Sequence, residues 1–117
     1  MSAKYDTIEE GMQAAGVDRA KRHLFLCLGP DCCSMEEGTQ TWDYLKRRCA
    51  DLKLPLMRTK AGCFRVCVGG PWLVVYPEGL WYSRVTAERC ERILQEHIVN
   101  GKPILEWAER VHPLDKE

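Results

Sequence analysis

The seven cysteines in this chain of 117 residues are the feature that most constrains it. Their number is odd, so they cannot all pair in disulfide bonds. The N-terminal residues lack the apolar segment of a signal peptide, which predicts a cytoplasmic location in which thiols stay reduced. The cysteines therefore indicate metal binding or thiol chemistry rather than a disulfide framework.

The composition predicts one soluble globular domain. A hydrophobic fraction of 45% suffices for one core, and the chain is too short for two. Seventeen basic residues balance seventeen acidic residues, so no strong overall field attracts nucleic acid or an anionic membrane. The longest apolar runs, such as residues 72–76, have the length of a strand and not of a transmembrane helix.

Hydrophobic patterning predicts the strands of an α/β fold with a mixed sheet. Residues 23–28 form a continuous apolar run that is typical of a buried central strand. Residues 54–58 predict a short outer strand, since Pro55 cannot donate to a ladder. Residues 72–76 and 80–83 flank a turn containing glycine and are predicted to form a hairpin.

Two main helices are predicted between and after these strands. Thr39 is a candidate N-cap for the first helix and Thr86 for the second, which ends at an Asn-Gly pair. Residues 1–19 are polar and form an N-terminal extension with one short helical stretch, and residues 102–117 form a C-terminal tail. The domain itself is expected to span residues 20–101.

Five cysteines lie in two loops that follow predicted strands. Cys27, Cys32 and Cys33 belong to the first loop, and Cys63 and Cys67 belong to the second. Both loops leave strand ends, so they can meet at one edge of the sheet. Thiolates suit both zinc and iron–sulfur clusters, and loops rich in glycine free backbone N–H groups to point at cluster sulfurs.

The segment from residue 22 to residue 101 resembles the thioredoxin-like [2Fe–2S] ferredoxins. This family is similar in fold to the small iron–sulfur subunit of respiratory complex I. The matching features are a strand ending in Cys27, a second cysteine ahead of a helix, and the run Gly-Cys-x3-Cys-x-Gly-Gly-Pro over residues 62–71. The hairpin sequence Val-Val-Tyr-Pro-Glu-Gly-Leu-Trp-Tyr over residues 74–82 and a helix ending in His-x3-Gly also match.

The resemblance implies a thioredoxin-like mixed sheet of about four strands with two main helices. It also implies a bound [2Fe–2S] cluster, one-electron transfer with redox partner proteins, and a homodimer. On this interpretation the protein is not an enzyme, although it can be accessory to an oxidoreductase.

The cluster ligands implied by the resemblance are Cys27, Cys33, Cys63 and Cys67, with Cys32 as the alternative second ligand. Cys33 is preferred over Cys32 because helix residues Trp42 and Leu45 then follow at the family's spacing. The family's glycine after this cysteine lies one place later here, at Gly38.

Other functions remain open on the residues alone. Four thiolates also satisfy tetrahedral zinc in a structural or interaction module, although paired Cys-x2-Cys knuckles are lacking. A thiol–disulfide oxidoreductase fits the order of elements, but the chain has no Cys-x-x-Cys motif. A cluster that acts as a sensor rather than a carrier is a third possibility.

Several other residues invite either a structural or a functional interpretation. Cys49 and Cys90 lie on apolar stripes of the predicted helices, which favours core packing over ligation. His97, in the last turn of its helix, is expected to pack or to contact terminal carbonyls rather than bind a metal. Arg65 lies between two candidate ligands, where its charge either raises a reduction potential or faces a partner. The aromatic residues of the hairpin are expected in the core or at a dimer surface.

Overall fold

Five strands form one mixed sheet in the computed structural model, which describes residues 3–114. The strands are β1 (Arg22–Cys27), β2 (Leu56–Ala61), β3 (Leu73–Tyr76), β4 (Leu80–Tyr82) and β5 (Ala108–Val111), and their spatial order is β2-β1-β3-β4-β5. β1 and β2 are parallel, whereas the other neighbouring pairs are antiparallel. The carboxyl ends of β1 and β2 therefore lie at the same edge of the sheet. Residues 1, 2 and 115–117, where the predicted extension and tail reach the chain ends, lie outside the described residues.

Each α-helix of the described residues begins at a residue whose side chain caps it. They are α1 (Ile8–Ala15), α2 (Met35–Leu52) and α3 (Ala87–Arg92), which continues as a π-helical segment (Ile93–Val99), and a 3₁₀ turn (Leu105–Trp107) precedes β5. Thr86 caps α3 as predicted, because its side chain accepts a hydrogen bond from the Arg89 N–H. Within residues 3–114, no helix has the length and hydrophobicity needed to cross a membrane.

The core lies between the sheet and the helices α2 and α3. Alternate strand residues supply one side of it, and the fully buried leucines of β1, Leu24 and Leu26, are at its centre. Cys49 of α2 and Cys90 of α3 are buried in the same cluster, which confirms their predicted packing role. The opposite face of the sheet carries partly exposed aromatic rings, including Phe25 and Tyr76.

Three sequence-based expectations about the elements were wrong. Thr39 is not the N-cap of α2, because the helix already begins at Met35. Ser34 is the cap: its side chain accepts the Glu37 N–H, and the Glu37 carboxylate accepts the Ser34 N–H. This reciprocal pair satisfies two N–H groups that would otherwise lack partners, so the helix starts five residues earlier than expected.

The sheet also contains a fifth strand where about four were expected. β5 lies within the segment expected to be a tail, and it pairs with β4 through Leu80 opposite Val111 and Trp81 opposite Arg110. The His112 N–H extends the contact by donating to the Gly79 carbonyl at 2.8 Å. The outer strand on the other side, β2, begins after Pro55 rather than including it.

Candidate functional site: a thiol cluster at the sheet edge

Two loops that carry cysteines leave the same edge of the sheet. The first, residues 28–34, follows β1, and the second, residues 62–72, follows β2; we call them the β1 loop and the β2 loop. Cys27 pairs with Ala61 in the parallel ladder, and the Leu28 N–H donates to the Ala61 carbonyl at 2.8 Å. The ladder thus holds the two loops side by side from their first residues.

Three sulfurs form a chain of contacts at the β1 loop. The Cys27 Sγ lies 2.7 Å from the Cys32 Sγ, and the Cys32 Sγ lies 3.7 Å from the Cys33 Sγ. Cys27 is fully buried and Cys32 is only 8% exposed, whereas Cys33 is partly exposed. Both candidates for the second ligand therefore lie within reach of Cys27, and Cys32 is the nearer of the two.

The other two sulfurs lie on the exposed β2 loop. Cys63 and Cys67 are exposed, and their Sγ atoms and a carboxylate oxygen of Asp31 all lie within 4.8 Å of one another. The Arg65 N–H donates to the Cys63 Sγ at 3.0 Å. Arg65 and Cys67 both adopt positive φ, at 71° and 65°, which turns the backbone of this loop tightly around its sulfurs.

A glycine allows the two loops to approach each other. The Gly70 N–H donates to the Cys32 carbonyl at 2.9 Å. A Cβ atom at position 70 would lie 2.7 Å from the Cys32 Sγ and 2.9 Å from its Cβ. The close contact between the loops therefore requires glycine at this position.

Burial keeps the inner thiols protonated when they are free. It raises the pKa of Cys27 to about 12, against the opposing effect of the Trp72 N–H, which donates to the Cys27 Sγ at 3.1 Å. Burial also raises the pKa of Cys33 to about 12, while the Gly38 N–H acts in the opposite direction. Metals bind thiolates, so binding here would displace protons and depend on pH.

The outer thiol Cys67 also has a raised pKa. Desolvation is the largest cause, followed by the neighbouring Cys63 sulfur and the negative charge of Asp31. The direction of this shift agrees with the short distances among the Cys63 and Cys67 sulfurs and the Asp31 carboxylate.

Aromatic rings cover the inner side of the thiol cluster. Trp72 is 8% exposed, and its indole N–H donates to the Val68 carbonyl at 2.7 Å, which fixes the end of the β2 loop. The Trp81 ring lies edge-on to Trp72 at 6.3 Å and to Phe64 at 5.9 Å between centroids. The rings leave the sulfurs of the β2 loop exposed while excluding water from those near Cys27.

The structure places the sequence-predicted site residues in two adjacent groups: the sulfurs of Cys27, Cys32 and Cys33 are in contact, and those of Cys63 and Cys67 lie together on the β2 loop. The backbone N–H of Arg65 donates to the Cys63 sulfur, and the Arg65 side chain is exposed. His97 lies in the core, where its two ring nitrogens contact Tyr82 and Glu78. Sequence reasoning missed Asp31, whose position directly before the vicinal cysteines was the available signal.

The donor set fits a soft metal centre. Thiolates select zinc or iron–sulfur clusters, and both would occupy the space where the two loops meet. Backbone N–H groups of Trp72 and Arg65 point at the Cys27 and Cys63 sulfurs, one in each part of the site. Such N–H groups favour the thiolate form and are a feature of iron–sulfur sites, where they offset negative charge.

Comparison with known proteins gives a consistent result. The chain is 35% identical over 96 residues to a protein of Clostridium pasteurianum named "Ferredoxin, 2Fe-2S", covering 72% of this chain and 91% of that relative. It is 34% identical over 84 residues to a putative 2Fe-2S ferredoxin of Priestia megaterium, covering 69% of this chain and 64% of the relative. No family model matches the chain.

Solved structures share the fold. The wild-type thioredoxin-like [2Fe-2S] ferredoxin of Aquifex aeolicus superposes with a TM-score of 0.68 and 25% sequence identity. The match covers 78% of this chain and 98% of that one. Nearly the whole of the Aquifex chain therefore has a counterpart in this structure.

Proposed function

Because this chain belongs to the thioredoxin-like [2Fe–2S] ferredoxins, we propose that it binds a [2Fe–2S] cluster and carries single electrons between redox proteins. The observation that carries this function is the meeting of thiols from the β1 and β2 loops at one edge of the sheet. A bound cluster would supply the one-electron centre, and the chain would supply its ligands and their surroundings.

The residues present fit such a cluster. Four thiolates are its usual ligands, and the β1 and β2 loops, which contact each other through the Gly70 N–H and the Cys32 carbonyl, carry three and two cysteines at their strand ends or within them. A cluster held by four thiolates is negatively charged in both redox states, so it requires compensating donors. The N–H groups of Trp72 and Arg65, at 3.1 and 3.0 Å from the Cys27 and Cys63 sulfurs, are such donors.

We propose Cys27, Cys33, Cys63 and Cys67 as the ligands, with Cys32 as the alternative to Cys33. The register of α2 supports Cys33, since Leu45, twelve residues after it, is fully buried in the core. The 2.7 Å contact between the Cys27 and Cys32 sulfurs supports Cys32.

Metal content and spectroscopy test the function. Protein expressed with ample iron and purified without oxygen is expected to be brown and to contain iron and inorganic sulfide. After dithionite reduction it should give the EPR signal of a spin-half [2Fe–2S] pair. Colourless protein that contains zinc instead of iron would refute the proposal and favour a zinc module.

Serine variants assign the second ligand. Cys33→Ser is expected to lose most of its bound iron, whereas Cys32→Ser should keep the wild-type absorption and EPR spectra. Cys49→Ser is a suitable control, because Cys49 is buried between the helices and the sheet. If Cys32→Ser lost its iron and Cys33→Ser kept the wild-type spectra, Cys32 would be the second ligand.

We infer that electrons enter and leave on the side of the β2 loop. Cys63 and Cys67 are exposed, whereas Cys27 is fully buried behind Trp72. Val66 and Val68 flank Cys67 with exposures of 38% and 65%, which provides an apolar contact area for a redox partner. Short distance favours electron transfer, so a partner is expected to bind at this loop.

The resemblance extends the proposal to assembly and location. We propose a homodimer, and the partly exposed aromatic face of the sheet, with Phe25, Tyr76 and Trp81, offers a surface for it. Multi-angle light scattering of the cluster-loaded protein tests the dimer.

The seven free cysteines suit a reducing compartment, which supports a cytoplasmic location. We also propose that the protein is an electron carrier without catalytic activity of its own, accessory to an oxidoreductase.

A further inference from the structure

Asp31 is an acidic residue of the β1 loop whose carboxylate lies beside the sulfurs of the β2 loop. One of its oxygens and the Cys63 and Cys67 sulfurs lie within 4.8 Å of one another. Asp31 is exposed and makes no ion pair with any cation in residues 3–114. Its negative charge is therefore not neutralised by a salt bridge from the described part of the chain.

The other acidic side chain near the cysteines is already engaged. Glu37 faces Cys33, but its carboxylate accepts hydrogen bonds from the Ser34 N–H and hydroxyl, each at 3.1 Å. The nearest cation along the β2 loop, Arg65, contacts Cys63 through its backbone N–H and not through its guanidinium. Asp31 is thus the acidic side chain of the described residues that lies within 4.8 Å of both outer sulfurs.

We propose that Asp31 lowers the reduction potential of this protein by placing a fixed negative charge next to the Cys63 and Cys67 side of the site. The proposal rests on the proposed function, because it requires a bound [2Fe–2S] cluster. Reduction of a bound cluster would add one electron, supplied by a one-electron reductant, without transfer of a bond or a proton. The Asp31 carboxylate would disfavour this gain of one negative charge beside it.

The expected change in reduction potential depends on the distance between Asp31 and the cluster and on the exposure of Asp31 to solvent. A unit charge a few ångströms from the centre, in an exposed position, changes the equilibrium constant for reduction by about threefold. For a one-electron couple this is about 30 mV, at about 59 mV for each tenfold change. The effect is expected to decrease at high salt, because exposed charges are screened.

Redox titration of three variants tests the proposal. Asp31→Asn removes the charge. It is expected to raise the reduction potential of the cluster-loaded protein, which corresponds to an increase of about threefold in the equilibrium constant for reduction. Asp31→Glu keeps the charge and should retain a potential close to that of the wild type. Asp43→Asn is the control, because it makes the same chemical change at an exposed residue of α2. Asp43 lies about 12 Å along the helix from Met35, the first helical residue, so this variant should keep the wild-type reduction potential.

Several results would overturn the role of Asp31. The first is that the Asp31→Asn and Asp43→Asn proteins have the same reduction potential. The second is that the shift in reduction potential caused by Asp31→Asn is as large at high salt as at low salt. If Asp31→Asn fails to hold iron, Asp31→Ser is titrated in its place; loss of iron from both variants would make Asp31 a ligand and refute a role through charge. Failure of the proposed function is distinct, since the wild-type protein would then lack the cluster.

Discussion

At the scale of single residues, the contact between the loops depends on the absence of a side chain at position 70. We expect Gly70→Ala to weaken cluster binding, because the new Cβ would lie 2.7 Å from the Cys32 Sγ. Overpacking of this kind costs about 1–3 kcal/mol. The measurement is the midpoint of denaturant unfolding together with the iron content.

The same loop offers a matched control for this change. A Cβ atom at Gly62 would find its nearest neighbour, the Gly29 carbonyl oxygen, at 4.0 Å. Gly62→Ala should therefore keep the wild-type iron content and stability. Equal loss of iron in both variants would show that loop flexibility, rather than the space beside Cys32, is what matters.

A second residue-scale feature is a buried chain of polar side chains that sets the tautomer of neutral His97. Tyr82 accepts the Ile104 N–H at 3.1 Å, so its own hydroxyl hydrogen is free to bind the His97 Nδ1 at 2.9 Å. The His97 Nε2 then carries the proton and donates it to Glu78 at 3.1 Å. Arg22 completes the chain through a 2.8 Å contact with Glu78.

This chain predicts how stability depends on pH. Burial lowers the pKa of His97 below its ordinary value of 6.5, and the opposing effect of Glu78 does not cancel it. Below about pH 6.5 the unfolded chain binds more protons at this residue than the folded chain, so stability falls as the pH falls. The expected slope is at most about 1.4 kcal/mol per pH unit.

A glutamine substitution isolates this contribution. His97→Gln can accept from Tyr82 and donate to Glu78 without titrating, so the slope between pH 6.5 and 5 should become smaller than in the wild type. The titration of Glu78 does not contribute to the slope between pH 6.5 and 5. Burial acts to raise its pKa, but hydrogen bonds from Arg22 and His97 lower it below 4.5, so its stabilisation is lost only at lower pH. Parallel slopes for the two proteins, measured by urea unfolding, would contradict the assignment.

At the scale of elements, the sequence predicted those that are defined by hydrophobic pattern. The apolar run of β1 and the β3–β4 hairpin were expected because burial and turn chemistry are local properties. The start of α2 was predicted five residues too late, because Thr39 is a residue type that caps helices and the Ser34–Glu37 capping box was overlooked. In the structure Gly38 is buried, and a Cβ there would collide with the backbone of Leu28. Packing between elements therefore outweighs the low helix propensity of glycine.

The site shows the same division between local and non-local information. The cysteines could be identified because residue type and spacing along the chain carry their chemistry. The position of Asp31 directly before the vicinal cysteines was a local signal, but its contact with the outer sulfurs and that of the Trp72 N–H with Cys27 could not be predicted, because they depend on how the β1 and β2 loops meet in space. β5 was missed for a related reason: its short polar sequence becomes a strand only because β4 offers an open edge.

At the scale of the whole molecule, the C-terminal segment connects parts of the fold that are distant in sequence. Ile104 is 3% exposed, packs in the main core and donates its N–H to Tyr82. The Trp107 ring contacts the guanidinium groups of Arg89 and Arg92, at 4.4 and 4.7 Å from its centroid. The segment thus covers the end of the core and ties α3 to β4.

Its contribution can be measured with two adjacent substitutions. Ile104→Ala removes a buried side chain and is expected to lower the free energy of unfolding by about 2–5 kcal/mol. Leu105→Ala is the control, since Leu105 is 65% exposed and should change stability by about 0.5 kcal/mol or less. Iron content should be unaffected by Leu105→Ala, and for Ile104→Ala it should follow the fraction of folded protein. If the two variants unfolded at the same urea concentration, the C-terminal segment would be an appendage and not part of the domain.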